Sequence, residues 1–351
     1  MIGRSAPEAD PSAPAEPDAP AGAPSPAGSA STADSPSTTG STDGRVTGSV
    51  DSAETLIEGP WRHRFVAANG ARFHVAEAGT GPLVLLVHGF PQFWWAWRHQ
   101  IPALAAAGYR AVALDLRGYG ASDKPPRGYD TMTLAADVAG VIRALGETGA
   151  VVVGHDWGGW LAWSMPALAP RETRAVAALS MAHPLTMRSA LRHDRAQRRA
   201  WRPVLEFQVP VRPERRLTRD DLAAELIGRW SAPTAPPDQG DLDVYRRAIR
   251  VPFVAHSSME YYRWALRSLT RRDGRRFAAA VGDGIGVPVL QLQGGLDPFV
   301  LPATAVASHH RVNGPLSYEL IAPAGHFLPE EAPDQVTSTL LTWLAGLPPE
   351  R

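Results

Sequence analysis

The sequence predicts an α/β fold, a mostly parallel, doubly wound sheet interrupted by a helical insertion. Unbroken apolar runs such as "PLVLLVHG" are typical of strands buried on both faces of a parallel sheet. Strand-like runs alternate with helical stretches along most of the chain, an alternation that produces a parallel sheet covered by helices. The alternation stops at residues 183–276, where an Arg-rich, helix-like segment with Pro-rich interruptions follows.

The predicted elements begin with a hairpin. "HRFVAANG" and "RFHVAEAG" are expected to form two short strands joined at Asn69-Gly70, a strong two-residue turn signal. Helices are predicted over residues 133–145 and 334–347 from their apolar periodicity. The remaining strands are predicted at "PLVLLVHG", "RAVALDL", "AVVVGH", "AVAALSM", "VPVLQLQ" and "LSYELIA".

Composition divides the chain into four segments. Residues 1–52 consist mainly of Pro, Ala, Ser, Gly and Thr, which predicts a disordered tail. Residues 53–182 and 277–351 are predicted to form the two parts of the sheet-containing core. An insertion as long as residues 183–276 is expected to form a lid over the carboxyl edge of the sheet.

Bulk properties exclude several classes of function. The 351 residues carry a formal net charge of zero, which does not favour nucleic acid or an anionic membrane as partner. Cysteine is absent, so disulfides, thiolate metal sites and cysteine nucleophiles are excluded. The N-terminal residues lack a signal-peptide pattern, and no apolar run is long enough to span a membrane, so we expect a cytoplasmic protein.

The segment "GHDWGG", residues 154–159, has the spacing of the sharp strand-to-helix turn on which many hydrolases carry a nucleophilic serine. Here the central residue is Asp156. It follows a predicted strand and precedes a helical stretch, and Gly154 and Gly158 suit a turn with no room for a Cβ atom. Taken alone, the pattern also fits an ordinary Gly-rich turn.

Two further segments make Asp156 a candidate nucleophile. Asp297 and His326 each come just beyond a predicted strand, which completes the chain order of nucleophile, acid and histidine in a catalytic triad on such a fold. Taken singly, Asp297 fits a turn and His326 an ordinary loop histidine. The oxyanion donors are expected to be the backbone N–H groups of Phe90 and Trp157. Phe90 lies in the His-Gly-x-Pro loop formed by His88, Gly89 and Pro91.

The motifs "HGFPQ", "DLRGYGASDKP", "GHDWGG", "GGLDP" and "AGHF" together resemble the α/β-hydrolase superfamily and its epoxide hydrolase branch, which uses an aspartate nucleophile. The resemblance runs from about residue 60 to the C-terminus. It implies an α/β-hydrolase core with a helical cap domain as the lid. It also implies a small epoxide and water as the reactants. The aromatic and apolar residues around "PQFWWAW" and "EFQVP" are expected to form a hydrophobic pocket under the lid, which favours a hydrophobic epoxide.

The strand-to-helix turn at residues 154–159 is here called the elbow. An aspartate at its centre favours substitution at saturated carbon. A carboxylate is ionised at neutral pH, and its attack on such a carbon leaves a stable alkyl ester. His326, oriented by Asp297, is then expected to activate the water that hydrolyses the ester on Asp156. No metal or cofactor is needed for this cycle. Neither nucleic acid nor membrane is expected as a partner, and the sequence leaves open whether the chain forms a homodimer.

In the epoxide hydrolases that the chain resembles, two cap tyrosines donate protons to the opening epoxide. "MEYYRWALRS" resembles the second-tyrosine segment, with Tyr262 at the matching position, and Tyr261 would point about 100° away on a helix. The first-tyrosine segment corresponds to "WRPVLEFQVP", which contains no tyrosine. Ring opening would then depend on one phenol, on Tyr245 or His256 as a substitute, or on an atypical substrate.

Three alternatives stay open. A haloalkane dehalogenase shares the residue types of the triad, and Trp157 with Trp201, Trp230 or Trp264 would hold the halide; against it, Phe90 stands where a dehalogenase usually offers a side-chain amide. The chain could also be another hydrolase with an aspartate nucleophile. A non-catalytic binding protein on this fold would be expected to lack part of the triad, whereas all three residue types are present.

Overall fold

The computed structural model describes residues 50–348. Its strands are Arg62–Ala68 (β1), Ala71–Ala78 (β2), Leu83–Val87 (β3), Arg110–Leu114 (β4), Ala150–His155 (β5), Thr173–Leu179 (β6), Val289–Gly294 (β7) and Leu316–Ile321 (β8). These described strands form one sheet in the order β1-β2-β4-β3-β5-β6-β7-β8. β2 pairs antiparallel with β1 and β4, and all other neighbours pair in parallel. The predicted fold class is therefore confirmed.

Helices connect the strands and cover the sheet. Within the described residues they are Gln100–Ala106 (α1), Thr131–Ala144 (α2), Trp157–Leu168 (α3), Pro184–His193 (α4), Arg195–Ala200 (α5), Arg202–Glu206 (α6), Arg212–Arg219 (α7), Leu222–Trp230 (α8), Gln239–Arg250 (α9), Val254–Arg267 (α10), Arg272–Ala280 (α11), Pro302–Val306 (α12), Leu328–Glu331 (α13) and Pro333–Ala345 (α14). Short 3-10 helices lie at Ser52–Thr55, Trp94–Trp97 and His309–Arg311.

The first hairpin forms where its turn signal predicts. Asn69 and Gly70 both have positive φ angles, 45° and 74°. A two-residue turn with positive φ at both positions matches the twist of the two strands that it joins. The strands are thereby paired from Ala68 opposite Ala71 outward.

The middle of the sheet positions two of the motifs found in the sequence, the loop that begins at His88 and the turn that contains Asp156. Every residue of β3 and β5 is buried, as expected for central parallel strands covered on both faces. The two strands pair in parallel, with Val87 opposite Gly154. The segments that follow them, beginning at His88 and Asp156, therefore leave the sheet side by side at its carboxyl edge.

Helices α4 to α11 follow β6 and precede β7 in the chain. The last of them ends at Ala280, beyond the predicted end of the insertion at residue 276. Apolar side chains from these helices and from the sheet belong to the same buried cluster. The division into core segments 53–182 and 277–351 and a separate cap, residues 183–276, stays a prediction.

The first described residues overlap the end of the predicted N-terminal tail. Residues 1–49 of the predicted disordered tail lie outside the described residues. Asp51 already caps the first 3-10 helix, since its side chain accepts a hydrogen bond from the backbone of Ala53 at 2.9 Å. The structured part therefore includes Asp51 and Ser52, which the sequence assigned to the tail. Among the helices that the structure describes, none is long and apolar enough to cross a membrane.

Candidate active site

Asp156 lies on a strained turn between β5 and α3. Its backbone has φ 49° and ψ −113°, a conformation that L-residues with a side chain rarely adopt. The turn is also closely packed, because a Cβ atom on Gly158 would lie 1.9 Å from the carbonyl oxygen of Val87. The Asp156 side chain is 1% exposed. The predicted elbow geometry thus places a buried carboxylate at the carboxyl edge of the sheet.

The loop after β3 contacts this carboxylate from the other side. The backbone N–H of Phe90 donates a hydrogen bond to Asp156 Oδ2 at 2.8 Å. A Cβ atom on Gly89 would lie 2.3 Å from Asp156 Cβ, so only glycine allows this approach. Trp157 begins α3 directly after Asp156. Within residues 50–348 its backbone N–H makes no hydrogen bond to the Asp156 carboxylate, so Phe90 alone of the two predicted donors is paired with it here.

His88 and Pro91, the other members of this loop, shape its backbone. His88 Nδ1 donates to the carbonyl of Gly89 at 2.9 Å, and Nε2 accepts from the backbone N–H of Leu116 at 3.1 Å. These two bonds define a neutral tautomer, and burial lowers the pKa of His88. Pro91 follows Phe90 through a cis peptide bond. His88 therefore links the loop after β3 to the segment after β4.

Asp297 and His326 are brought together from the ends of β7 and β8. His326 Nδ1 lies 2.9 Å from Asp297 Oδ2. The Asp297 carboxylate also accepts backbone bonds from Phe299 at 2.8 Å and Val300 at 2.9 Å, and one from Gln293 Nε2 at 3.0 Å. With both oxygens occupied, the carboxylate has a fixed position, and the imidazole that it contacts is oriented in turn.

The second imidazole nitrogen faces the elbow. His326 Nε2 lies 3.5 Å from Asp156 Oδ1, and both side chains are buried. Burial alone would lower the pKa of His326, but the charge of Asp297, together with Asp156, outweighs it and raises the pKa to about 10. The structure therefore brings the three predicted triad residues into a contiguous row, in which the two carboxylates favour the cationic form of His326.

Tyr262 faces the same carboxylate from α10. Its ring packs edge-on against Phe90, Trp157 and Phe207, with centroids 5.4, 5.1 and 4.9 Å away. Its buried hydroxyl has no hydrogen-bond partner in the described part of the chain. Burial, followed by the charge of Asp156, outweighs the opposing effect of the nearby Trp157 indole and raises the pKa of Tyr262 well above the usual range, so the phenol keeps its proton at neutral pH.

The other tyrosines and the histidine considered from the sequence are engaged elsewhere. Tyr261 donates to the carbonyl of Arg117 at 2.7 Å. Tyr245 donates to Glu330 Oε1 at 2.7 Å. The His256 side chain is largely exposed and lies 3.7 Å from Glu214. None of these three groups is brought to Asp156.

Sequence reasoning overlooked a second buried phenol, Tyr119, in the segment after β4. Its hydroxyl also has no hydrogen-bond partner among residues 50–348. The ring packs against His88 at 4.8 Å and Tyr261 at 5.6 Å. Burial, then interactions with Tyr262 and Asp156, raise its pKa well above the usual range. The only sequence signal was its place in "DLRGYGASDKP".

Among the four tryptophans considered as halide ligands, Trp157 lies nearest to the elbow. The indole N–H groups of Trp157 and Trp201 are buried without a partner in the described residues. That of Trp264 donates to Asp273 at 3.2 Å. Trp230 stacks on Phe299 with centroids 4.1 Å apart and meets the His326 ring edge-on at 5.7 Å.

A metal site needs a cluster of several ligating side chains. In the part of the chain that the structure describes, no group of three or more His, Cys, Asp or Glu side chains is arranged to hold a metal ion.

A strained elbow with an Asp, His and Asp row at the carboxyl edge of a parallel sheet defines a hydrolase-type site, and comparison with known proteins agrees. The family model of the alpha/beta hydrolase fold matches residues 82–333. The chain therefore belongs to the α/β-hydrolase family, and it is an enzyme of the hydrolase type.

The relatives identify the branch within that family. Epoxide hydrolase A of Mycobacterium tuberculosis is 34% identical over 81% of this chain and 97% of its own length. The structure of an epoxide hydrolase from an endophytic Streptomyces is 34% identical, with a TM-score of 0.70 over 82% of this chain and 96% of that chain. Epoxide hydrolase A of Mycobacterium thermoresistibile is 30% identical, with a TM-score of 0.68 over 83% and 100%. Within the α/β-hydrolases, the chain groups with the epoxide hydrolases.

Proposed function

We propose that this protein hydrolyses a small lipophilic epoxide to a diol in two steps, through an alkyl ester on Asp156. The observation that carries the proposal is the pairing, on one buried carboxylate, of a histidine at 3.5 Å and an unpartnered phenol on the facing helix. The first group suits activation of water, and the second suits protonation of an epoxide oxygen. The relatives named as epoxide hydrolases support the same reaction.

In the first step, an Asp156 oxygen attacks an epoxide carbon, and the carbon–oxygen bond of the ring breaks. Tyr262 gives its proton to the departing oxygen, so that the products are an ester and a free hydroxyl. Because the Tyr262 hydroxyl has no acceptor among the described residues, no hydrogen bond that it donates there has to be broken before this transfer. Tyr119 is the candidate for a second phenol, since its buried hydroxyl has no partner among the described residues and is close enough to Tyr262 and Asp156 for both to raise its pKa.

Formation of the ester changes the protonation of His326. The raised pKa depends partly on the negative charge of Asp156, and esterification removes that charge. The pKa of His326 therefore falls, and its proton is available to the Tyr262 phenolate. The neutral imidazole that results, held by Asp297, is then a base for water.

In the second step, His326 takes a proton from water as the water oxygen attacks the ester carbonyl. The negative charge that develops on the carbonyl oxygen is stabilised by the Phe90 N–H, with the Trp157 N–H as the second proposed donor. Collapse of this intermediate releases the diol alkoxide, which takes the proton of the newly formed Asp156 carboxyl group. The cycle ends with ionised Asp156 and cationic His326, and the sum of the steps is epoxide plus water giving a diol.

The substrate is proposed to be lipophilic because the rings of Phe90, Trp157 and Phe207 surround Tyr262 beside the reacting carboxylate. The indole N–H of Trp157, which is buried and has no hydrogen-bond partner among residues 50–348, favours one second candidate, a haloalkane dehalogenase. A halide accepts from indole N–H groups, whereas an alkoxide needs a phenol.

The test is to trap the ester. His326→Gln removes the base but leaves Asp156 and Tyr262, so intact mass spectrometry after addition of styrene oxide should show a stable adduct of one substrate mass. Asp156→Ala in the same background is the matched control and should show no adduct. Halide release from chloroalkanes by the wild-type enzyme, without diol formation from any epoxide, would instead support the dehalogenase.

A further inference from the structure

The loop that carries His326 is held by a carboxylate outside the proposed triad. Glu331 Oε2 accepts hydrogen bonds from the backbone N–H of Gly325 at 2.7 Å and of Ala232 at 2.8 Å. Glu331 Oε1 accepts a third from the backbone N–H of Phe327 at 2.8 Å. The two residues on either side of His326 are thus bonded to the same side chain.

The third donor, Ala232, comes from the insertion between β6 and β7. It lies two residues after Trp230, the last residue of α8, whose carbonyl accepts a hydrogen bond from the backbone N–H of His326 at 2.9 Å. The contact is close, because a Cβ atom on Gly325 would lie 2.5 Å from the Ala232 nitrogen. Glu331 therefore joins the His326 loop to the helical insertion through backbone groups of both.

Capping of a short helix explains only part of this arrangement. Glu331 lies in α13, and its bond to Phe327 satisfies the N–H group at the start of that helix. The bonds to Gly325 and Ala232 lie before the helix and have no role in capping it. The backbone carbonyl of His326 is also occupied, since it lies 2.7 Å from His155 Nε2. Every backbone polar group of His326 and its two neighbouring N–H groups are thereby fixed.

We propose that Glu331 is a positioning residue for His326, which keeps the imidazole aligned with the ester carbonyl on Asp156 and makes that alignment depend on docking of the helical insertion. This inference rests on the proposed two-step function. His326 acts in the second step, and Asp156 and Tyr262 carry out the first. Loss of the Glu331 contacts should therefore slow hydrolysis of the ester and leave its formation largely unchanged.

Glu331→Gln is the sharpest substitution. Glutamine has the same shape, but one acceptor oxygen is replaced by an NH2 group that would face a backbone N–H donor. Glu330→Gln is the matched control, because Glu330 is the adjacent, partly buried carboxylate and also joins the core to the insertion. Its partners are Arg98, Gln92 and Tyr245, and none of them belongs to the His326 loop.

Steady-state kinetics on styrene oxide separate the two steps. When only ester hydrolysis is slowed, kcat and KM fall together, while kcat/KM, which reports ester formation, stays nearly constant. For Glu331→Gln we expect kcat and KM to fall by about tenfold to a hundredfold. The adduct should then be visible by intact mass during turnover. Glu330→Gln should reduce thermal stability without this parallel fall, and Glu331→Asp, which keeps both acceptor oxygens, should recover part of the loss.

Several outcomes overturn the proposal. One is a loss of kcat/KM equal to the loss of kcat in Glu331→Gln, with no adduct during turnover. Another is the same parallel fall in Glu330→Gln. If Glu331→Gln does not fold, the proposal is overturned by wild-type kinetics in Glu331→Asp, whose shorter side chain cannot keep all three bonds. Failure of the proposed function gives a different result from failure of this proposal, because His326→Gln would then form no adduct with any epoxide.

Discussion

The two sides of the Asp156 carboxylate are built in opposite ways. On the His326 side, hydrogen bonds fix the group that orients the imidazole: Asp297 accepts four of them, one from His326. His326 Nε2, the nitrogen that faces Asp156, has no hydrogen-bond partner among the described residues. On the side of α10, the hydroxyls of Tyr262 and Tyr119 are buried among aromatic rings without a partner in the described residues.

The difference follows from what each side is proposed to do. A base that must activate water at one point benefits from an imidazole held in one orientation, and hydrogen bonds supply that rigidity. A phenol that must protonate a substrate oxygen has to keep its O–H free of acceptors within the protein. In the proposed reaction, the substrate oxygen is the acceptor. Leaving a buried hydroxyl unpaired costs about 1–3 kcal/mol of stability, so unpaired donors beside the proposed nucleophile favour a functional explanation.

The strongest challenge to this comparison is Asp297→Asn on the hydrogen-bonded side. The amide cannot accept at both positions, so His326 would lose its orienting partner and its preferred tautomer. We expect ester hydrolysis to slow by about 10³–10⁴-fold and the free energy of unfolding to fall by about 1–3 kcal/mol. Single-turnover kinetics and chemical denaturation measure the two quantities. A variant with normal ester hydrolysis would show that the imidazole needs no orienting carboxylate.

The matching change on the other side is Tyr262→Phe, which removes one hydroxyl and keeps the ring. We expect formation of the ester, and with it kcat/KM, to fall by about 10²-fold or more, because proton donation to the epoxide oxygen is lost. The free energy of unfolding should stay the same or rise, since the Tyr262 hydroxyl donates no hydrogen bond to any of the described residues. Activity and stability are thus expected to separate here, unlike in Asp297→Asn.

Tyr119→Phe is the companion variant for that measurement. The expected loss of kcat/KM is smaller than for Tyr262→Phe, because Tyr119 packs behind the loop after β3, against His88. Tyr261→Phe is the control, since its hydroxyl is bonded to the Arg117 carbonyl and its removal should cost stability with little effect on ester formation. Equal rates in Tyr262→Phe and the wild type would contradict the proposed role of the phenol side.

The hydrogen-bonded side was the more predictable of the two from the sequence. Asp156, Asp297 and His326 each follow a strand, and the carboxyl ends of parallel strands meet at one edge of the sheet. Strand prediction alone therefore places the three residues together at the carboxyl edge of the sheet. The backbone donor of Phe90 followed from the same reasoning, because β3 lies beside β5 in the sheet.

The side with Tyr262 and Tyr119 was harder to predict, because a sequence does not show which buried hydroxyls lack a hydrogen-bond partner. The 100° spacing on a helix separates Tyr261 from Tyr262 but does not say which one faces the elbow; only the resemblance indicated Tyr262. Tyr119 lies in a loop after a strand and Glu331 in a short helix, and neither local sequence pattern indicates a role at the site. Their contacts are made by segments distant in the chain, such as Ala232 with Glu331.

The smallest expected effect concerns how the protonation of His326 is linked to stability. Its pKa is raised to about 10 in the folded protein, chiefly because the charge of Asp297 outweighs burial, whereas an unfolded histidine has a pKa of about 6.5. The stabilisation is therefore fully present below about pH 6.5 and is lost as the pH rises through about 10. Between pH 7 and pH 10, the wild-type protein should lose more Tm than His326→Gln, by about 2 °C or more.

The control in that comparison is internal, since every other group that titrates between pH 7 and pH 10 is shared by the two proteins. Asp156→Ala should shift the loss to lower pH, because one of the carboxylates that stabilise the imidazolium is removed. This variant imitates the loss of charge on formation of the ester, so it measures how far the pKa of His326 falls at the moment when a base is needed. Parallel pH curves for the wild type and His326→Gln would mean that the histidine is neutral at rest. The proton that restores Tyr262 would then have to come from solvent.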